Sequence, residues 1–461
     1  MTFIYKRNSL DEEAAEFNFI FRNFPQGIFF IHLIIHVNLI SYNLSSNESH
    51  HVNNFDHLEY TLRRDSGHAS SPVQSELSGR GTAEDSQEPL LLYAESRRGF
   101  IYPKEPGNDI IVMKPGDLIR VACPGGRILL SRSKIKLFES AVFECVSEKT
   151  FSLTYANRKG SFFEIYCEAY PQHSVRKTYH ACGIGFTGEI GFSIKIDDHE
   201  EFVGIIDFCH DENIGHTIYA HTEIPAAIGS AEILIPRPSF VKGDFYRGIS
   251  MDTIYNRFSQ QETLKQILKS RKLANQYIHN TGNYFLSRGH LIAKSDFIYG
   301  TQQRATFYYV NTVPMWQNIN DGNWKQIEIS VRNYASERNC NLEIWTGSLG
   351  VLELRDVNGR NKKIYLKYEE NERLAIPVPK LLFKVVYNRK NKAGIVFITI
   401  NNPHLNRLTK KYFVCNDVCA EINFVNWDMR RNRGYSYCCR VDDFRNAFPD
   451  LPEFTTHRLL S

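Results

Sequence analysis

Ten cysteines constrain this 461-residue chain more than any other feature. Cys123, Cys145, Cys167, Cys182 and Cys209 lie in the first half, and Cys340, Cys415, Cys419, Cys438 and Cys439 in the second. An even total at irregular spacing predicts a disulfide framework formed in an oxidising compartment, with all ten as candidates. A zinc site needs paired ligands at short spacing. Cys415, Cys419, Cys438 and Cys439 come nearest to that, but the adjacent pair suits two separate bridges better than one tetrahedral centre. Five cysteines per half leaves two arrangements open. Either one bridge joins the halves, or each half keeps one cysteine unbridged. Hydrophobic residues at 42% and charged residues at 23% exclude collagen-like, wholly disordered and multi-span membrane chains.

The formal charge of +4 hides an asymmetry: 33 Lys+Arg stand against 20 Asp+Glu from Lys242 onward, a net +13, so the preceding residues carry −9. A basic C-terminal half attracts polyanions, of which nucleic acid is the commonest. Within residues 1–40, the apolar run 27–40 (GIFFIHLIIHVNLI) suits the core of a secretory signal or a signal anchor better than a membrane span, with a buried strand or helix as the plain alternative. Acidic residues before it are wrong for a signal start, which is explained by a start site further downstream or an extended gene model, with a signal anchor as the alternative. Residues 41–98 read as a polar linker with too little apolar surface to order itself, carrying glycosylation acceptors at Asn43 and Asn47 if extracellular.

Residues 99–231 read as a separate all-β domain of unknown role. Short strands are predicted at 109–113, 118–123, 142–146, 162–166 and 202–208, between Pro-Gly turns. His180, His199 and His210 are scattered and form no chemical constellation. Leu264, Ile267, Leu268, Leu273 and Ile278 then mark an amphipathic helix within 255–278.

The block from Tyr284 to Arg332 carries the chemistry. A strand is predicted from Tyr284 into Ser287-Arg288-Gly289-His290, a second at 304–311, a loop at 314–321, and a helix through Trp324, Ile327 and Val331. Glu328 and Arg332, four apart, share a helix face, where their plain reading is a solvated pair. Asn320 precedes the helix, where asparagine caps a helix or offers an amide oxygen to a hard cation. Arg288 and His290, two apart, project to one side of a strand. A base, a neutral oxygen ligand, a carboxylate and two guanidiniums suit phosphodiester cleavage. The imidazole takes a proton from water, a divalent ion offsets phosphorane charge, and guanidinium forks hold phosphate oxygens.

This set resembles the signature of the DNA/RNA non-specific endonucleases, the sugar-non-specific ββα-metal (His-Me finger) nucleases. Their Asp-Arg-Gly-His corresponds to Ser287-Arg288-Gly289-His290. Asn311 and Pro314, then Asn320, Gly322 and Trp324, then Glu328 and Arg332 follow in the family's order. Residues 293–297 and 302–306, Arg304 among them, are similar to the secreted arthropod branch described as double-stranded ribonucleases. The resemblance covers residues 240–455. It implies an α+β domain with a mixed or antiparallel central sheet and flanking helices, preceded by the small all-β disulfide-containing domain.

The resemblance further implies that His290 is the general base and Asn320 the direct ligand of Mg²⁺, with Mn²⁺ or another divalent ion possible. Glu328 orients the metal's waters, Arg288 and Arg332 stabilise the pentavalent phosphate, and Asn311, Ser287 and Arg304 support the site or bind substrate. RNA and DNA are the substrates, products carry 5′-phosphates, and no nucleotide cofactor is required. Secretion, into gut lumen or haemolymph, follows from the same branch, with membrane attachment only if the N-terminal run is an uncleaved anchor. Ser287 and Met315 depart from the acidic residue and the glutamine of the family pattern. Two rival readings are a nucleic-acid-binding member that has lost turnover, and an extracellular binding protein acting through the N-terminal β domain.

Overall fold

The computed structural model describes residues 87–461, apart from 95–98, 105–106, 108–109, 131–134, 148–149, 155–157, 197, 369–373, 406 and 429, together with strands Ala15–Ile20, Phe30–Ile35 and Ser75–Ser78. Ala15–Ile20 and Phe30–Ile35 pair antiparallel, so part of the apolar N-terminal run is strand. Most of the signal-like N-terminus and of the linker, including both glycosylation acceptors, lies outside the described residues. No helix among the described residues is long and apolar enough to cross a membrane.

Alternation of apolar residues builds the first β segment. In Leu118–Ala122 and Ser140–Ser147, Ile119, Val121, Ala141 and Phe143 point inward beside Phe151 and Leu153. These strands belong to a five-stranded antiparallel sheet, and Ile128–Leu130, Ile135–Lys136 and Ile165–Cys167 form a smaller one. The Cys123–Cys167 disulfide closes this all-β portion. Phe162–Glu164, expected as strand, is a 3-10 turn.

The β segment does not continue to residue 231 as expected. Strands β1 (Ser174–Cys182), β2 (Gly185–Ile196), β3 (His199–Asp211) and β4 (His216–Ile224) are four of the nine strands of the main sheet. Helices α1 (Arg257–Leu268) and α2 (Arg271–Tyr277) follow, then β5 (Leu286–His290), α3 (Gly300–Ala305), β6 (Thr312–Trp316) and α4 (Lys325–Glu337). The chain returns to the sheet as β7 (Leu342–Val351), β8 (Pro379–Asn388), β9 (Ala393–Ile400), β10 (Ser436–Cys439) and β11 (Arg458–Leu459). The strand order is β1-β2-β3-β4-β7-β8-β9-β10, antiparallel throughout, with β11 parallel to β9. β4 pairs with β7 from Tyr219↔Gly347 to Ile224↔Leu342, so cutting near 231 would sever the sheet down its middle. Strand alternation alone cannot reveal which later strand supplies a partner.

The expected helix within 255–278 is two, because Lys269 takes a left-handed conformation (φ 54°) and Ser270 caps the second by accepting from Leu273 N. Helix α4 packs Ile327 and Val331 on one face of the sheet with Ile344, Leu382 and Val386. The other face carries Trp345, Phe383, Val385 and Val396 under the C-terminal helix Val441–Arg445. Disulfides Cys182–Cys209, Cys415–Cys439 and Cys419–Cys438 complete the framework. Every bridge stays within its own half, and Cys145 and Cys340 stand outside the four bridges, so two of the ten candidates are not bridged. Asp417 lies near Cys419 and Cys438, but the disulfide uses both sulfurs, which removes the zinc alternative.

Candidate active site

Between the two halves of the sheet, the chain makes a hairpin followed by a helix. β5 and β6 pair antiparallel, from Leu286↔Trp316 to His290↔Thr312. The second strand was expected at 304–311, on aromatic and β-branched content. That stretch is instead the end of α3 and a 3-10 turn at Tyr309–Asn311, and the strand runs through Pro314 where a loop was expected. Its register makes the proline harmless. Asn401 Nδ2 donates to Pro314 O (3.1 Å), and Trp316 N donates to Asn401 Oδ1 (3.1 Å), so this side of β6 faces away from β5. The missing N–H of Pro314 therefore removes no bond between the strands.

Register and alternation divide the hairpin into two faces. Ser287 and Gly289 share one with Met315 and Val313; Arg288 and His290 share the other with Pro314 and Thr312. A Cβ on Gly289 would sit 2.6 Å from that of Met315, which fixes glycine there. The two departures from the family signature, Ser287 and Met315, are register partners, and Ser287 Oγ donates to Met315 O (3.0 Å).

After β6 the backbone keeps helical angles through Asn320 (φ −56°, ψ −47°), so of the two roles open to Asn320 it does not take that of helix cap. A wide turn at Asn320–Trp324 leads into α4, broken at Gly322 (φ −100°, ψ −130°). Asp428, Arg433 and Gly434 hold this turn. Asn323 Nδ2 donates to Asp428 O (2.9 Å) and Gly434 O (2.5 Å), its Oδ1 accepts from Asp428 N (2.8 Å), and Arg433 Nη2 donates to Asp321 O (2.6 Å). Asn320 Nδ2 reaches Ser287 Oγ across a long 3.5 Å. Because the serine hydroxyl already donates to Met315, it can only accept here, and this turns Asn320 Oδ1 away. That oxygen accepts no hydrogen bond from any described residue.

On α4, Arg332 does not pair with Glu328. Its Nη1 donates to Asp296 Oδ1 (2.9 Å), and Asp296 Oδ2 accepts from Ala293 N (3.1 Å). The ion pair is buried at Asp296, 1% exposed, and ties the segment following His290 to the helix. Below it, Lys384 of β8 is 1% exposed and donates to Thr346 Oγ1 (2.8 Å). Burial raises Glu328 to about 7; Lys384 works against this, Asp296 adds to it, and Arg332 and Lys325 oppose it. Sequence reasoning missed Asp296 and Lys384. The lysine had a signal: a cation within the apolar run Leu381–Val386 has no reason to be there unless an anion lies nearby.

His290 packs against Phe240 (5.3 Å between ring centroids) and edge-on to Phe307 (4.9 Å). Its Nε2 is buried without a hydrogen-bond partner among the described residues. Burial first, then the charges of Arg237 and Lys294, push its proton affinity down to about 3, so the ring is neutral near pH 7. Asn311 is fully buried and laces the next residues in place. Its Nδ2 donates to Ile292 O (2.9 Å) and Thr306 O (3.0 Å), and its Oδ1 accepts from Ile292 N (3.0 Å). Arg288 lies over Tyr255 (5.2 Å) and Phe240 (5.6 Å), and its Nε donates to Tyr309 Oη (2.8 Å). Arg304 sits over the ring of Tyr170 (4.8 Å), bracing α3.

The structure thus brings Arg288 and His290 together around Phe240, sets Asn320 beside Ser287, and joins Arg332 to Asp296. No hydrogen bond joins His290 to Asn320 among the described residues. Three residues of strand, roughly 10 Å, separate His290 from the Ser287 contact. The donor set suits a hard cation: Asn320 offers an unengaged amide oxygen, with the Glu328 carboxylate on the helix that follows the break at Gly322.

Residues 187–444 match the DNA/RNA non-specific endonuclease family, more than half of the chain, and the protein belongs to that family. The match begins inside β2, in agreement with a sheet that starts before the expected boundary. Among its relatives, a salivary endonuclease of Lutzomyia longipalpis is 28% identical across 78% of this chain and 79% of its own. The salivary protein Tsal1 of Glossina morsitans morsitans is 24% identical across 81% and 90%. A salivary endonuclease of Culex quinquefasciatus is 28% identical across 36% and 44%.

The buried imidazoles set the pH response of the fold. Burial is the leading cause that holds His173, His216 and His404 down to about 4, and His210 and His290 to about 3. An unfolded histidine titrates near 6.5. Between these values the unfolded chain binds more protons, so this stability is present above pH 6.5 and lost as pH falls. Each histidine contributes at most about 1.4 kcal/mol per pH unit. Glu328 and Glu223, both raised mainly by burial, and His221, which burial lowers but the carboxylates of Asp207 and Glu343 raise to about 9, act in the opposite sense but are fewer. The melting temperature is expected to drop by several degrees from pH 7 to pH 5. A flat profile by scanning fluorimetry would show that these rings are not held neutral.

Proposed function

We propose that the protein is a secreted, Mg²⁺-dependent endonuclease that hydrolyses RNA, double-stranded RNA included, and DNA with little sequence preference, leaving 5′-phosphate ends. One observation carries this reading: a neutral imidazole with an unpartnered Nε2 stands beside an arginine on one hairpin face. His290 accepts the proton of the attacking water. Asn320 would hold a divalent ion through Oδ1, with Glu328 placed to orient bound water, and the ion would supply charge to offset that of the phosphorane. Arg288 and Arg332 bind phosphate oxygens, Arg332 from a position locked by Asp296. Asn311, Ser287 and Arg304 support the hairpin and α3. Four disulfides, and relatives whose names are salivary, support secretion.

A second reading, binding without turnover, draws on Ser287. Its hydroxyl is engaged by the backbone, so no carboxylate stands there to hold metal waters. Matched single- and double-stranded RNA and DNA, incubated with Mg²⁺ and with a chelator, separate the two. Shortening of any substrate that the chelator stops supports the enzyme; retardation on a gel without shortening supports the binder. Asn320→Ala is expected to raise the Mg²⁺ concentration for half-maximal cleavage at least about tenfold. A metal titration that overlays the parent's would reject Asn320 as the ligand.

A further inference from the structure

Arg288, Tyr309 and Asp252 close a three-membered hydrogen-bonded ring. Arg288 Nε donates to Tyr309 Oη (2.8 Å), Arg288 Nη2 donates to Asp252 Oδ1 (3.0 Å), and Tyr309 Oη donates to the same Oδ1 (2.6 Å). One oxygen thus takes two convergent donors, a cation and a hydroxyl, which is how a protein holds a phosphoryl oxygen. The members differ in how firmly they are fixed. Tyr309 is 1% exposed, and Arg288, 31% exposed at its side chain, lies among Phe240, Tyr255 and Tyr309. The Asp252 side chain is 79% exposed, on the four-residue helix Met251–Ile254, and its Oδ2 has no hydrogen-bond partner among the described residues. The donors belong to the framework, whereas the anion reaches in from solvent on an exposed side chain.

We infer that Arg288 Nη2 and Tyr309 Oη form a phosphate-binding subsite that the Asp252 carboxylate fills in the free protein and a backbone phosphate of the nucleic acid takes over. With Asp252 displaced, Tyr309 still accepts from Arg288 Nε, which fixes the guanidinium plane, and its own proton turns to the phosphate. Arg288 Nη1, which donates to no described residue, supplies a further N–H to the same group. Phe240 touches both the guanidinium and the His290 ring, so the phosphate held here lies next to the imidazole. The inference rests on the nuclease reading for the identity of the ligand, but its geometry does not require turnover.

The test is binding of a short fluorescein-labelled RNA duplex, followed by anisotropy in a chelator so that nothing is cut. Asp252→Ala removes the internal competitor and is expected to tighten binding roughly fivefold to tenfold. Asp443→Ala makes the same charge change on the exposed surface of the C-terminal helix and calibrates the general effect of one lost negative charge. Tyr309→Phe keeps the ring and is expected to weaken binding about tenfold, and to erase most of the gain when combined with Asp252→Ala. A gain for Asp252→Ala no larger than for Asp443→Ala would overturn the exchange, and the exposure of Asp252 ensures that this variant folds. A gain with Tyr309→Phe unchanged would remove the tyrosine from the subsite. Separately, parent protein that binds the duplex but never cuts it with Mg²⁺ would defeat the nuclease reading and leave the order of these affinities to decide the subsite.

Discussion

His290→Ala lowers turnover by roughly 10²–10⁴-fold, the usual contribution of a positioned base, and shifts the melting temperature by only a few degrees. The small thermal effect follows from what the ring does in the free protein: it packs on Phe240 and Phe307 but makes no hydrogen bond through Nε2. The large kinetic effect needs one further step, because a proton affinity near 3 makes a weak base. Burial is the largest cause of that value, and the positive charges of Arg237 and Lys294 add to it. A bound phosphodiester places negative charge beside them, offsets their repulsion of the imidazolium, and raises His290 toward the working pH when substrate is present. The acid limb of kcat is therefore expected at higher pH than the free-protein value of His290. An unchanged rate in His290→Ala would remove this residue from the mechanism, and a stopped-time RNA digestion is enough to decide it.

The candidate residues could be picked out in the sequence because they are read by type and order, which a single chain displays directly. Ser287-Arg288-Gly289-His290, Asn320 and Glu328 needed no three-dimensional partner to be noticed. What remained hidden depends on partners distant in sequence. Asp296 and Lys384 meet Arg332 and Glu328 only once β8 lies under α4, and no spacing rule connects positions 296, 332 and 384. The strand through Pro314 was misplaced for a related reason: Asn401, far along the chain, satisfies its outer edge, while the aromatics at 307–309 that suggested a strand are buried around a lone bridge from Tyr308 to Val241 and a 3-10 turn. The boundary near 231 failed because β4 and β7 are separated in sequence by the whole hairpin–helix insertion. The disulfide arrangement was narrowed to two possibilities by counting, and the fold selected one of them.

Gly322→Ala is the second variant expected to silence the protein, without touching any group proposed to meet substrate. A Cβ at this position would lie 2.2 Å from the carbonyl oxygen of Arg433 and 2.9 Å from its carbonyl carbon. Both are backbone atoms, so no side chain can swing aside. Arg433 cannot retreat freely either, because it, Asp428 and Gly434 are bonded to the turn at four points. The turn itself must give way, and Asn320 stands two residues before the clash. A displacement of about 1 Å at a metal-holding oxygen is enough to cost roughly 10²-fold in rate, whereas overpacking of this kind costs about 1–3 kcal/mol in stability. The variant is therefore expected to stay folded at room temperature, to cleave about a hundredfold more slowly, and to need more Mg²⁺. Gly204→Ala, whose added Cβ would find its nearest neighbour at 4.0 Å, serves as the control and should behave as the parent. If Gly322→Ala matches the parent in both rate and metal titration, then the wide turn does not set the position of Asn320, and the amide at that position has no part in holding the ion.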